Sequence, residues 1–314
     1  MSFYLIFLLL FSFNNLAIAE EEENDGFNKI RIENEFKLRI PENIVNDVNI
    51  YLHKTYGPNT IFFNDFDSTF TTENEIEIFE DIYYDNSDFI MLNQQGGIRH
   101  RMRYDLKNDE KTLQKELIQI KLQTDDEHGV NRQEIKFPLT NNYSEDDELI
   151  DKIKKSNRKE FETRLKELQI NKDDLEAIVK VIQKRTRIYI LYKNESFATI
   201  TMDEVSSEKW WKSISFVELE MEINEIGYTE ASPEKKAFME KVNSRMKEDL
   251  LNKFTEIKQD QTPKYNKVFN HFDEASLWSS ILINYNPSLS SVIGTAVAII
   301  LILLFVFLKN KIGK

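Results

Sequence analysis

The chain has 314 residues, with 41 Lys or Arg against 54 Asp or Glu and a net charge of −13. This acidic balance argues against general nucleic-acid binding, which depends on neutralising phosphates, so no nucleic-acid partner is expected. Cysteine is absent, which excludes disulfides, thiolate zinc sites and cysteine nucleophiles. The four histidines lack metal-ligand spacing, so any metal must be held mainly by carboxylates, which favours Mg²⁺ or Mn²⁺.

Both ends of the chain are apolar. Residues 3–19 end in Ala17-Ile18-Ala19, the small-x-small pattern of a signal-peptide cleavage site, although the usual basic n-region is missing. Residues 288–308 carry no charge and are long enough to cross a bilayer, and a lysine-containing tail follows them. The ends predict a single-pass membrane protein with its folded domain outside the cytosol, in a periplasm, at a cell surface or in a secretory lumen.

The predicted segments follow in chain order. Residues 20–28 form an acidic leader. Alternating, strand-like sequence dominates from about residue 29 to 137, including a hairpin formed by 113–124 and 131–139. Residues 145–183 have helical spacing, strands return between about 185 and 223, and a helix is predicted at 233–258. The division is a signal peptide at 1–19, the leader at 20–28, one domain at 29–258, a linker at 259–287, a transmembrane helix at 288–308 and a cytoplasmic tail at 309–314.

The strands share an unusual charge pattern. Side chains alternate between the two faces of a strand, and several strands carry charged or polar residues on one face and apolar residues on the other. In some of these strands the charges are all of one sign. The sets are Glu33, Glu35 and Lys37; Arg99, Arg101 and Arg103; Gln119 and Lys121; Arg132, Glu134 and Lys136; Arg185 and Arg187; and Glu218, Glu220 and Glu222.

Each set taken alone fits a solvated outer face. Taken together they favour a different interpretation, because like charges stacked on one strand repel each other unless a ligand of opposite charge lies among them. Guanidinium groups match phosphate oxygens, and glutamates bind hard divalent cations. The pattern predicts an α+β domain built on an antiparallel barrel, with its charged face inward and its apolar face packed under the helices at 145–183 and 233–258.

A known family shows the same blocks in the same order. The segment "IENEFKL" resembles the Glu-x-Glu-x-Lys motif of the CYTH superfamily, also called triphosphate tunnel metalloenzymes. Further blocks resemble the rest of its pattern, namely "YYDNSDFIMLNQQGGIRHR", Lys121, "RQEI", "KRTR", "TMDEV" and "FVELEME". The resemblance spans about residues 29–240. One departure is Lys136, which stands where the family often has a further acid.

The resemblance implies an eight-stranded antiparallel β-barrel forming a tunnel, with flanking helices, which hydrolyses or transfers a triphosphate. The implied metal ligands for Mg²⁺ or Mn²⁺ are Glu33, Glu35, Asp203, Glu218 and Glu220. The implied substrate-binding residues are Lys37, Arg99, Arg101, Arg103, Lys121, Arg132, Arg185 and Arg187. The catalytic set is Glu33, Glu35, Lys37 and Glu134, although a salt bridge that holds Arg132 is an equally good role for Glu134.

The expected function is metal-dependent hydrolysis of inorganic tripolyphosphate or a nucleoside triphosphate. Polyphosphate is a further candidate partner, and the C-terminal helix is the expected membrane contact. One alternative is a non-catalytic module that binds polyphosphate or an organic phosphate. The others share the fold: adenylate cyclase, RNA triphosphatase and polyphosphate polymerase. A structural surface protein whose charge alternation is fortuitous is a further reading.

Overall fold

The computed structural model describes residues 31–107, 110–123, 131–209 and 212–273. Within these ranges nine strands form one antiparallel sheet. The strands are β1 (Arg31–Ile40), β2 (Phe70–Asp85), β3 (Gly97–Lys107), β4 (Glu110–Gln123), β5 (Asn131–Pro138), β6 (Glu176–Tyr192), β7 (Glu195–Lys209), β8 (Lys212–Ile223) and β9 (Lys258–Gln259).

The helices are mostly short. They are α1 (Val45–Tyr56), α2 (Ile90–Asn93), α3 (Leu149–Lys152), α4 (Lys155–Glu167), α5 (Glu225–Thr229), α6 (Pro233–Lys253) and α7 (Lys264–Asp273), with 3-10 turns at Glu42–Ile44, Phe62–Asp65 and Lys172–Asp174. The longest helix, α6, begins with a well-formed N-cap. The Ser232 side chain accepts a hydrogen bond from the Lys235 amide, and Pro233 fills the first turn, where a proline needs no amide partner.

The order of strands in the sheet is β5-β4-β3-β2-β6-β7-β8-β1-β9. β1 also pairs with β5: its first residues, 31–34, face β5, and residues 35–40 face β8. The sheet therefore curves until β5 and β8, which are far apart in this order, both pair with β1. Tight hairpins assist the curvature; β6 and β7, for example, are joined by Lys193 and Asn194, both with positive φ, as the favoured two-residue turns require.

The outer face of the sheet is apolar and covered by helices, as the alternation predicts. One buried cluster joins α1 and α6 to β1, β6, β7 and β8, with Val48 and Val242 among its members. A second buried cluster joins α4 and α7 to other strands of the sheet, including β3, β4 and β5. In this cluster the ring centroids of Phe161 and Phe137 lie 5.1 Å apart. Burying a large apolar side chain stabilises the fold by about 1.5–3 kcal/mol, so these two clusters hold the sheet in its curved form.

Three predicted segments differ from the structure. Helix α1 lies inside the stretch predicted to be strands. Its buried residues Val48, Leu52 and Tyr56 recur at helical spacing, but three positions are too few to distinguish a helix within alternating sequence. The predicted helical segment 145–183 ends early: α4 stops at Glu167, and β6 begins at Glu176. Part of the predicted linker is structured, since β9 and α7 occupy residues within 258–273 and pack against the sheet.

The predicted signal peptide, acidic leader, transmembrane segment and cytoplasmic tail lie outside the described residues. Within residues 31–107, 110–123, 131–209 and 212–273, every helix is too short or too polar to span a bilayer.

Candidate active site

The charged face of the sheet surrounds an interior cavity of about 190 Å³. Side chains from β1, β2, β3, β4, β5, β6 and β8 line it, and α7 adds Lys264 and Tyr265. The lining is almost entirely polar or charged, while the reverse face of the same strands is apolar. The predicted charge alternation therefore places the ionised groups inside and the apolar groups outside, which is the opposite of an ordinary half-buried sheet.

One part of the cavity wall brings cations together around Glu134. Its carboxylate lies 2.8 Å from the Lys136 ammonium, 3.4 Å from Lys121 and 3.9 Å from Arg99. Burial alone would raise the pKa of Glu134, but Lys121, Lys136 and Arg99 outweigh it and hold that pKa well below the ordinary value. Glu134 therefore stays ionised at neutral pH and is a poor proton acceptor.

Two glutamates face each other on the adjacent part of the wall. Glu35 of β1 lies opposite Glu222 of β8 in the antiparallel register. Burial and the Glu35 carboxylate raise the pKa of Glu222 to about 7. Burial opposes ionisation of Glu35 as well, yet Lys37, 3.0 Å away, and the nearby Lys121 and Arg132 keep the pKa of Glu35 below its ordinary value. Opposed carboxylates of this kind are stabilised by a shared cation.

Strand β2 supplies acids that hold the arginines in place. Asp81 is fully buried and accepts two hydrogen bonds of 2.7 Å from Arg101, one of 3.3 Å from Arg99 and one of 2.5 Å from Gln183. Burial would raise the pKa of Asp81, but Arg101 and Arg99 bring it down to about 2. Two of the three predicted substrate-binding arginines of β3, Arg99 and Arg101, are therefore oriented by an ionised partner.

A second acid of β2, Glu77, pairs with two further arginines. It pairs with Arg103 of β3 and lies 3.3 Å from Arg187 of β6. Arg187 also donates to the Tyr189 hydroxyl at 3.0 Å. Arg187 lines the cavity, whereas Arg103 does not and keeps 32% of its side chain exposed.

A third group of charges lies where β7 and β8 meet α7. Asp203 accepts two hydrogen bonds of 2.6 Å from Arg185, and Glu220 lies 3.0 Å from the same guanidinium. Lys264, from the first turn of α7, enters this group. Burial would lower the pKa of Lys264, but Asp203, Glu218 and Glu220 outweigh that effect and raise it well above the ordinary value.

The structure brings most of the predicted site residues to one cavity. Those that line it are Glu35, Lys37, Arg99, Arg101, Lys121, Arg132, Glu134, Arg185, Arg187 and Glu220. Asp203 and Glu218 are buried but do not line the cavity, and neither does Arg103. Glu33 is placed by its backbone, which pairs with Arg132 of β5.

Several members of the site were not among the predicted site residues. Glu222 and Lys136 share strand faces with predicted residues, so their positions were already signalled by the alternation. Asp81 and Glu77 fall on one face of "NEIEIFEDIYYDN", a signal of the same kind. Lys264 had no signal, because a single lysine in a predicted linker does not reveal that the segment folds back into the sheet.

The carboxylates of the cavity could supply some of the ligands of a divalent cation. Among the residues that the structure describes, no group of three or more His, Cys, Asp or Glu side chains is arranged to hold a metal ion. The opposed pair Glu35 and Glu222 supplies two carboxylates. Hard oxygen ligands of this type suit Mg²⁺ or Mn²⁺, so the pair provides part of the ligand set of such an ion.

Fold and site together define an antiparallel sheet curved around a cavity lined by opposed acids and bases. The model of the CYTH domain family matches residues 61–249. This match covers more than half of the 314 residues, and the chain therefore belongs to the CYTH domain family. No curated protein sequence matches the chain.

Solved structures with a similar fold include a candidate adenylate cyclase from Bacillus halodurans, with 16% identity over 76% of this chain and 98% of that chain and a TM-score of 0.41. A Pyrococcus horikoshii protein has 20% identity over 69% of this chain and 89% of its own, with a TM-score of 0.38. A candidate adenylyl cyclase from Hippeastrum, with a dominant triphosphatase activity, has 14% identity over 77% and 95%, with a TM-score of 0.36. These scores are low, so membership rests on the family model.

Proposed function

We propose that the chain is a metal-dependent triphosphate phosphohydrolase acting on inorganic tripolyphosphate or a nucleoside triphosphate. The observation that carries this proposal is the cavity itself, in which the cations around Glu134 lie beside the opposed acids Glu35 and Glu222. A triphosphate needs positioning and charge neutralisation more than covalent help. A wall of cations and a carboxylate pair able to hold a divalent ion supply both.

The architecture in this proposal is an eight-stranded barrel through which the substrate lies as in a tunnel. The strand order, together with the extra pairing of β1 with β5, supports a ring made of β1 to β8. The ninth strand, β9, adds to β1 over Leu38 and Arg39 only and stands outside that ring.

Each part of the lining has a chemical role in the proposal. Arg99, Lys121 and Lys136 bind phosphoryl oxygens, because guanidinium and ammonium groups are positively charged and donate hydrogen bonds to them. Lys37, between Glu35 at 3.0 Å and Glu220 at 3.3 Å, orients the chain of phosphates toward the acids. Asp81 fixes Arg99 and Arg101 before the substrate arrives, which reduces the reorganisation needed during reaction.

The divalent ion would be held by Glu35, Glu222 and Glu33, with Mg²⁺ and Mn²⁺ as the candidates. When bound, it supplies charge neutralisation and polarisation of the phosphoryl oxygens. The depressed pKa of Glu134 makes that residue a holder of Lys121 and Lys136 and not a general base. This favours a salt-bridge role over the catalytic one that the family resemblance implies. The partners are Lys121, Lys136 and Arg99 in place of the expected Arg132, which lies 3.5 Å from Glu35.

Phosphate release from the purified full-length chain tests the proposal. The substrates are tripolyphosphate, ATP, GTP and thiamine triphosphate, each with Mg²⁺ or Mn²⁺. We expect release that falls about 100-fold or more in Glu35→Gln and in Lys121→Met, the loss typical of removing one preorganised charge-stabilising group. Glu204→Gln is the matched control, because Glu204 is an exposed β7 glutamate that pairs with Lys184 at the surface.

Turnover that survives both cavity substitutions would overturn the proposal. A folded chain that binds tripolyphosphate tightly without releasing phosphate would instead be the binding module. Product analysis separates the remaining activities of this fold, since a cyclase releases pyrophosphate, a polymerase lengthens polyphosphate and an RNA triphosphatase requires an RNA 5′ end.

We also propose that the domain lies outside the cytosol on a single C-terminal anchor. The apolar sequences of residues 3–19 and 288–308 support this placement. Alkaline carbonate extraction of membranes from expressing cells should leave the full-length chain in the pellet. Deletion of residues 288–314 should release it, and a full-length chain that is extracted would refute the anchor.

A further inference from the structure

Lys264 occupies the centre of a group of three buried carboxylates. Its ammonium lies 2.7 Å from Glu220, 2.9 Å from Asp203 and 3.0 Å from Glu218. The lysine side chain and the three acids are each at most 10% exposed. An ammonium has three N–H donors and no acceptor, so one donor is available for each carboxylate.

The remaining oxygens of this group are also engaged. Arg185 takes both oxygens of Asp203, at 2.6 Å each, and one of Glu220 at 3.0 Å. Lys267 pairs with Glu218 on the other side. Divalent ions need several carboxylate or water oxygens within about 2.0–2.6 Å, and the oxygens that would supply them here already lie within ion-pair distance of fixed cations. Glu218 Oε2 accepts no hydrogen bond from the described residues, but it lies 3.0 Å from the Lys264 ammonium.

The segment that carries Lys264 is anchored on both sides. Before it, β9 pairs with β1, the Asp260 amide donates to the Lys37 carbonyl at 3.1 Å, and Arg132 donates to the Gln261 carbonyl at 2.7 Å. After it, the Tyr265 ring stacks on Tyr83 at 5.0 Å and 5°.

Two further contacts fix the helix itself. The Tyr265 hydroxyl donates to Asp85 at 3.1 Å, and the Asn266 amide donates to the Leu92 carbonyl at 2.8 Å. Residues 258–266 are therefore attached to β1, β2, β5 and the α2 region. These contacts fix the backbone on both sides of Lys264, so its ammonium is held at the three carboxylates.

We infer that Lys264 is a built-in cation that takes the place of a second divalent ion, so that the chain binds one such ion, beside Glu35 and Glu222, and none at Asp203, Glu218 and Glu220. This inference rests on the metal dependence of the proposed function. It departs from the ligand set that the family resemblance implies for this chain, in which all three of these acids bind metal.

The number of Mn²⁺ ions bound per chain tests the inference without any measurement of activity. The full-length protein in detergent is titrated with Mn²⁺, and bound metal is counted by electron paramagnetic resonance and by calorimetry. We expect one ion in the native chain and one additional ion in Lys264→Ala, because that change removes the one cation that all three carboxylates share. Lys267→Ala, which removes a neighbouring ammonium that does not touch Asp203 or Glu220, should leave the count at that of the native chain.

A second variant protects the test if Lys264→Ala fails to fold. Glu218→Gln keeps Lys264 in place and removes only one of its acids, so the Mn²⁺ count and affinity should change less than twofold. Two ions in the native chain, an unchanged count in a folded Lys264→Ala, or loss of an ion in Glu218→Gln would each overturn the inference. No ion in the native chain but one in Lys264→Ala would support the exclusion of metal by Lys264, while refuting the metal site beside Glu35 and Glu222 on which the proposed function depends.

Discussion

Glu35 and Glu222 lie opposite each other on neighbouring antiparallel strands, β1 and β8. Acids directly across a strand pair repel each other, and the raised pKa of Glu222, about 7, records that repulsion together with burial. The pair is therefore unfavourable to the fold when both groups are ionised. It becomes favourable when a proton or a divalent cation lies between them.

The first prediction concerns stability of the metal-free chain against pH. Because the pKa of Glu222 is raised in the folded state from 4.5 to about 7, the folded state binds the proton more tightly than the unfolded state. The associated stabilisation is complete below about pH 4.5 and is lost as pH rises through 7. Glu222→Gln should abolish this loss and gain on the order of 1–3 kcal/mol over the native chain at pH 8.

Urea unfolding of both proteins between pH 5 and 8.5, with chelator present, measures this difference. The exposed Glu204→Gln should follow the native pH profile within about 0.5 kcal/mol. A Glu222→Gln variant less stable than the native chain at pH 8 would contradict the prediction.

The second prediction links metal affinity to the same proton. Since a cation and a proton compete for Glu222, the affinity for Mn²⁺ should rise with pH below 7, by up to about tenfold per pH unit, and level off above it. Calorimetry at pH 5.5, 6.5, 7.5 and 8.5 measures the slope. In Glu222→Gln the affinity should be weaker and nearly independent of pH over this range, and an unchanged slope would show that another group controls binding.

The third prediction concerns Asp81, which holds two arginines and is fully buried. Asp81→Asn leaves Arg99 and Arg101 without their buried counter-charge, which should lower the free energy of unfolding by about 3–5 kcal/mol. Tripolyphosphate should then raise the melting temperature of the variant more than that of the native chain, because the polyanion replaces the missing charge. Equal shifts in both proteins would mean that the polyanion does not reach these arginines.

The fourth prediction separates the two roles of Glu134. If Glu134 serves to hold Lys121 and Lys136, Glu134→Gln removes a competitor for those ammonium groups, and tripolyphosphate should bind several-fold more tightly while kcat changes little. A general base would show the opposite, a large fall in kcat at unchanged binding. Calorimetry and steady-state kinetics on the same preparation distinguish these outcomes.

The sequence was most informative about which face of each strand is charged. Alternation with period two places Arg99 and Arg101 on one face wherever the strand runs, and the structure puts that face inward. It could not indicate which cation meets which acid, because the partners come from different strands. Glu222 opposite Glu35 and Asp81 beside Arg101 depend on register, and register follows from turn lengths and packing rather than from either strand alone.

Helical segments were predicted less well. The run at 176–183 carries apolar residues in a spacing that fits either a helix or a strand, and its pairing with β2 made it a strand. Short runs of this type depend on tertiary partners. Lys264 was missed for a related reason, since α7 is held by Tyr83, Leu92 and Asp85, contacts that its own sequence does not specify.

The pairing of β1 with β8 also governs the order in which the molecule can assemble. Most of the described chain separates these two strands, and contacts between distant segments slow folding because a long loop must close before they form. Hairpins such as β6–β7 can form while synthesis continues, whereas Glu35 meets Glu222 only after β8 is made. Lys264 follows later still, so a ribosome-bound chain that ends before α7 holds three buried acids that lack one of their cations.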